Sequence, residues 1–156
     1  MDKFVNFISN SRFLAVCKIS LGAVFVLASL GKIIDPHTFA SDVYSYAILP
    51  EALVPLFAAT IPWMEFSAGL LLMLDIKAQS CALIINAMLV MFIAAILVAL
   101  ASGVEIACGC FDLLFPDEEV GWKTIVRDII MLIPGVIIMI YDKNDIGLYG
   151  LRRKRR

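Results

Sequence analysis

The chain has 156 residues, of which 62% are hydrophobic and only 17% charged, and its mean hydropathy is +0.93. Soluble domains carry about 45–50% apolar and about 25% charged residues, so this composition excludes an ordinary soluble domain and leaves an integral membrane protein. A net charge of −1 gives no support for nucleic-acid binding. The one basic cluster, residues 152–156, reads as an anchor beside a membrane span.

The first predicted span covers about 13–34 and is apolar except for Lys18 and Lys32 near its ends. Both lysines are expected to snorkel, stem in lipid and ammonium in the headgroups. A cleaved signal with a small-residue site at Ala28-Ser29 is the rival reading; Lys18 interrupts the apolar stretch that a signal needs. At 35–51 the chain leaves the bilayer. Asp35-Pro36 is a helix-start signal, and Phe39, Val43 and Tyr46 share one helical face. That pattern predicts a short interfacial helix stopped by Leu49-Pro50.

A second span, about 53–76, contains Pro55 and Pro62. Pro62 frees the carbonyl of Ala58 and predicts a kink, with Glu65 close behind near mid-span. Asp75-Ile76-Lys77 reads as a tight polar turn. The third span, about 78–101, is the cleanest apolar run, marked by Asn86. The 102–121 loop holds Cys108 and Cys110 and the acids Asp117, Glu118 and Glu119. A fourth span, about 122–141, carries Arg127-Asp128 and Pro134, and a polar tail occupies 142–156. The expectation is one all-α membrane domain over 1–156, a four-transmembrane-helix bundle with a short interfacial helix after the first span.

Four spans put both termini on one side. The termini and the 75–77 turn hold Lys3, Arg12, Lys18, Lys77, Lys143 and the basic tail, whereas the other side has only Lys32, Lys123 and Arg127 among many acids. The positive-inside rule then makes both termini cytoplasmic and turns the Cys108 loop outward, to the periplasm of a bacterium with an inner membrane.

Outside the cytoplasm disulfides persist. A Cys-Gly-Cys disulfide closes a very small ring, short of the usual alpha-carbon separation of roughly 4.4–6.8 Å. Such a bond is strained and readily reduced, as catalytic disulfides are, and Gly109 supplies the backbone freedom it needs. Two thiolates one residue apart would also suit a soft ion such as Cu(I), although no Met or His cluster adjoins them. A third possibility is a pair of inert thiols. Cys17 and Cys81 fall near the other membrane face and read as core residues. His37, the only histidine, reads as a solvated loop residue.

Glu65, Arg127 and Asp128 are the expensive charges, each costing about 2.5–3.5 kcal/mol at mid-bilayer. Helix neighbours do not face each other. Arg127 is therefore expected to reach Glu65 or an acid of the 35–51 segment, and Asp128 to meet Lys32 or Lys123. These pairs either lock the bundle or line a polar cavity under the Cys108 loop. In the second case Trp63, Glu65, Arg127 and Lys32 are the candidate cofactor contacts. Trp122, which starts a span, reads as an interfacial belt residue.

Taken in order, Lys32 with Asp35-Pro36 and Phe39, Tyr46 with Leu49-Pro50, Pro62-Trp63 with Glu65 and Gly69, Cys108-Gly109-Cys110-Phe111, and Arg127-Asp128 resemble the MauE/DoxX family of redox-associated membrane proteins. The likeness is to its methylamine-utilisation branch and covers about residues 15–140. It implies a four-helix bundle, a role in maturing a disulfide-rich periplasmic enzyme of the methylamine dehydrogenase type, and a thioredoxin-like periplasmic partner. The family's cysteine motif ends in Gly where this chain has Asp112, whose charge should raise a neighbouring thiol pKa.

The resulting expectation is a thiol–disulfide oxidoreductase. Cys108 and Cys110 exchange electrons between that partner and a membrane quinone, Glu65 manages protons, and Arg127 stabilises a thiolate or quinone anion. In layout alone this resembles DsbB and vitamin K epoxide reductase, which use two cysteine pairs where this chain shows one outward pair. A soft-metal or small-thiol carrier and a non-catalytic membrane assembly factor are the alternatives.

Overall fold

The computed structural model describes residues 11–46, 48–101 and 122–142. Among them are five α-helices, which we number in chain order: α1 (Ser11–Ile34), α2 (Pro36–Ser45), α3 (Val54–Met73), α4 (Ala78–Ala101) and α5 (Trp122–Tyr141). A single 3-10 turn, Glu51–Leu53, leads into α3. Four helices, α3 together with its lead-in among them, are long and apolar enough to cross a bilayer. The protein is a multi-pass membrane bundle with one short helix after the first span, as the composition and run lengths imply.

The packing follows chain order. α1 lies against α3, α4 against α5, and α3 against α4, while α5 closes back on α1. The α1–α3 contact is the most extensive, and glycines face each other there. A side chain at Gly22 would come within 2.6 Å of the Gly69 carbonyl, and one at Gly69 within 2.9 Å of the Gly22 carbonyl. Lipid supplies no hydrophobic drive between helices, so such small-residue contacts, which let backbones touch, hold spans together. Phe25, Leu72, Ile85 and Leu89 fill the centre and are almost fully buried. Cys17 and Cys81 belong to this core, as expected.

The second span is shorter than the predicted 53–76. α3 stops at Met73 because the chain reverses through left-handed backbone at Asp75 (φ 59°) and Lys77 (φ 46°). α2 likewise ends at Ser45, before the Leu49-Pro50 stop. The molecule has two ends. One carries the 75–77 turn and Asp142, which follows α5. The other carries α2 and the start of α3, together with the end of α4 and the beginning of α5. The 102–121 segment, with Cys108 and Cys110, lies outside the described residues; Ala101 and Trp122, which flank it, both belong to this second, α2 end.

Candidate functional site

α2 is built by its first residues. Asp35 caps it, accepting from the Thr38 amide at 3.1 Å and the Thr38 hydroxyl at 2.7 Å, and Pro36 opens the helix. These bonds favour the ionised carboxyl and hold Asp35 below the usual carboxylate range. So started, α2 turns Phe39 and Val43 inward, two members of the predicted apolar face. Tyr44 donates to Glu51 at 2.9 Å and ties the helix to the lead-in of α3. That bond raises the tyrosine pKa, because it serves the neutral phenol and the Glu51 charge opposes the phenolate.

Beneath α2 lies a buried ion pair. Lys32 of α1 donates to both oxygens of Glu65 on α3, at 2.7 and 2.8 Å. Lys32 is 4% exposed and Glu65 1%. The Phe39 and Phe92 rings cover the ammonium, each centroid 5.1 Å from its nitrogen, a separation at which a ring face attracts a cation. The expectation that Lys32 snorkels is corrected. An acid waits for it on the facing helix, so the side chain turns inward.

Lys18 is corrected in the same way. It is 3% exposed and lies at the turn end, bound by Asp75 of the 75–77 turn and by Asp142 just beyond α5. The turn that reads as polar in the sequence thus buries its aspartate.

The expected partners on α5 also change. Arg127 folds onto its own neighbour, donating from Nε and Nη2 to Asp128 Oδ1, both at 3.2 Å. The facing rule for helix neighbours concerns their Cβ directions; a guanidinium on a long stem can still reach back along the helix surface. The pairings of Arg127 with Glu65 and of Asp128 with Lys32 or Lys123 therefore give way to Lys32–Glu65 and Arg127–Asp128. Trp63 and Trp122 are 61% and 72% exposed, on the outside of the bundle; Trp122, at the start of α5, has the position of a belt residue, whereas Trp63 lies midway along its span.

Phe39 and Phe92 also line a cavity of about 270 Å³. Its wall is nearly all carbon. Phe39, Asp42 and Val43 come from α2 and Tyr46 from the residue just after it, Phe57 from α3, and Met91, Phe92, Ala95 and Val98 are among those on the α4 side. The sequence reading missed this cavity and the covering role of Phe92. The α2 face pattern was half of the signal; the α4 half cannot be picked out of a helix that is apolar on every side. Of the candidate site residues, the structure joins Lys32 to Glu65 and sets both behind the cavity's aromatic wall, while Trp63 is not among the lining residues.

Four apolar helices, one capped short helix and a buried Lys–Glu pair beneath it define a class: a small multi-pass membrane bundle with a buried charge cluster at each end and an aromatic-lined cavity at one of them. The family described as methylamine utilisation protein MauE matches residues 10–141. The chain belongs to this MauE/DoxX-type family of redox-associated membrane proteins. It is similar to the methylamine utilization protein MauE of Paracoccus denitrificans, 26% identical over 127 residues, which are 81% of this chain and 68% of that protein. No solved structure matches.

Proposed function

We propose that the protein is a membrane thiol–disulfide redox protein working through Cys108 and Cys110. The observation that supports this reading most is topological. Both ends of the segment bearing the Cys-Gly-Cys sequence join the bundle at the α2 end, beside the Lys32–Glu65 pair and the apolar cavity. That end of the bundle meets water on one side and lipid on the other. The charge asymmetry of the sequence makes the α2 end the outer, periplasmic end of a protein in the bacterial cytoplasmic membrane.

The reaction balances in two exchanges. In the first, a dithiol of a thioredoxin-like periplasmic partner attacks the Cys108–Cys110 disulfide; a mixed disulfide forms and resolves, leaving the partner oxidised and both cysteines as thiols. In the second, those two thiols pass two electrons and two protons to a membrane quinone, which becomes a quinol as the disulfide reforms. The physiological outcome is disulfide formation in, or maturation of, a periplasmic enzyme of the methylamine dehydrogenase type. Arg127, on the second turn of α5, is held by Asp128 and leaves 13% of its side chain exposed; its part in this reading is to stabilise a thiolate of Cys108 or Cys110. Glu65 can exchange a proton only when Lys32 releases it, so its part in proton transfer is conditional on opening that pair.

The test is a mass count of alkylated cysteines in membranes, with and without thiol reductant and added ubiquinone-2. The expected result is two cysteines that become unreactive on adding quinone and recover on reduction, in the wild type but not in Cys108→Ser or Cys110→Ser. Thiols that stay reduced whatever the quinone, but are shielded by Cu(I), would overturn this reading in favour of a soft-metal carrier.

A further inference from the structure

We infer that the cavity beneath α2 is the binding site of a prenylated quinone, with the ring between Phe39, Tyr46, Phe57 and Phe92 and the prenyl chain leaving past Ala94 and Val98 into lipid. This inference rests on the redox reading above and moves the quinone away from Trp63 and the ion pair, where the sequence had put it. Lys32 and Glu65 already bind each other through both carboxylate oxygens, and Trp63 stands on the outer surface.

Three properties of the cavity argue for this occupant. First, its wall is nearly all carbon, with Asp42 and Tyr46 the only lining residues that carry polar side-chain atoms, which disfavours a substrate polar all round because most of its hydrogen bonds to water would be lost without replacement. Second, aromatic rings reach it from α2, α3 and α4. Rings stack on rings, and a flat ring gains more from such a site than a saturated chain does. Its volume of about 270 Å³ lies near the lower bound, about 300 Å³, of ordinary small-molecule sites, room for one ring and the first part of its chain. Third, Ala94 and Val98 belong to the exposed face of α4 as well as to the cavity wall. A ligand can therefore enter sideways from the bilayer without crossing water. Val98 is also three residues from Ala101, where the chain leaves α4 towards Cys108.

The experiment uses the full chain in detergent micelles and an azido-quinone photoprobe with a short prenyl chain. Adducts should map to peptides covering 39–57 and 91–98. Labelling should fall with excess ubiquinone-2 and hold with the same excess of dioleoyl phosphatidylcholine. Ala95→Phe, which fills the cavity from α4, should weaken labelling roughly tenfold, the effect of losing about 1.4 kcal/mol of binding. Ala87→Phe, on an exposed part of α4 outside the cavity, should leave it unchanged. Adducts elsewhere, or displacement by the phospholipid as effective as by the quinone, would overturn the assignment even if Ala95→Phe failed to fold.

Repeating the labelling in Cys108→Ser/Cys110→Ser separates this inference from the reading it rests on. Cavity labelling that persists there, with wild-type thiols that ignore quinone, removes the redox function and leaves the quinone site standing. Thiols that oxidise with quinone, while Ala95→Phe alters neither labelling nor that oxidation, remove the site and leave the function standing.

Discussion

The two ends of the bundle bury charge in different ways. At the α2 end one lysine meets one glutamate, both carboxylate oxygens are taken, and two phenylalanine rings roof the ammonium. At the turn end one lysine meets two aspartates, from two different stretches of chain. Lys18 and Lys32 lie on the same helix, fourteen residues and so about 21 Å apart. Between them α1 buries Leu21, Gly22, Phe25, Ala28 and Ser29. The two clusters are thus separate. The pair is a neutral unit that could in principle be exchanged for an apolar one. The triad is a knot: it ties α1, the 75–77 turn and the exit of α5 to a single nitrogen. This difference argues that the turn end fixes the bundle and the α2 end is the one able to work.

Lys18→Met should have the largest effect. It leaves two buried carboxylates without their shared cation, where losing one partner of a buried pair already costs roughly 3–5 kcal/mol. Thermal unfolding of the purified protein should show a larger drop in Tm than for any substitution at the α2 end, with loss of folded protein in membranes as its extreme. An equal or smaller drop than Lys32→Met gives would erase the distinction between the two ends. Lys32→Met comes next, at roughly 3–5 kcal/mol, because it strands Glu65. Here a second change should repair the first. Replacing a buried pair by apolar residues of similar size is often neutral, so Lys32→Met/Glu65→Leu should unfold close to the wild-type temperature. No single partner change rescues Lys18→Met; both Asp75→Asn and Asp142→Asn are needed. If the double variant at the α2 end is as stable as the wild type but its Cys108 and Cys110 no longer respond to quinone, the pair serves the redox site. If they respond as before, it serves packing alone.

The sequence made the bundle legible because span lengths and the Asp35-Pro36 start are local signals. Partners across the bundle were harder to read. Lys18 and Lys32 look like snorkelling residues when α1 is considered alone, since a lysine near a helix end can reach the headgroups. Only the facing positions of Asp75, Asp142 and Glu65 turn them inward, and those positions depend on how far α1 slides along α3. The glycine contact between Gly22 and Gly69 fixes that slide, and no periodicity announces it. Arg127 and Asp128 went wrong for the opposite reason. The rule on helix neighbours describes where side chains start, and a long guanidinium does not end where it starts. The cavity was half legible: Phe39, Val43 and Tyr46 mark one face of α2, while the α4 wall belongs to a helix whose apolar residues carry no preferred direction.

The smallest effect should come from the helix that roofs the α2 end, and it is a pH effect. Asp35 is held below the usual carboxylate range by its bonds from Thr38. A folded pKa below the unfolded one means that the cap's contribution is complete above the unfolded value, about 3.9, and is lost as pH falls through the folded value. Below that point the first turn of α2 keeps only a neutral, weaker acceptor, and Phe39, which covers Lys32, is less firmly seated. Hydrogen exchange of the 36–45 amides should therefore quicken in this acid window, after correction for the intrinsic acid dependence of exchange, and the loss of protection should be absent in Asp35→Ala, which lacks the cap at every pH. The amides around the 75–77 turn have no such roof and should keep their protection through the same window. Parallel loss at both ends would mean that acid loosens the whole bundle. Loss confined to α2 would show that the covering of Lys32 and of the cavity can open while the triad holds the rest in place.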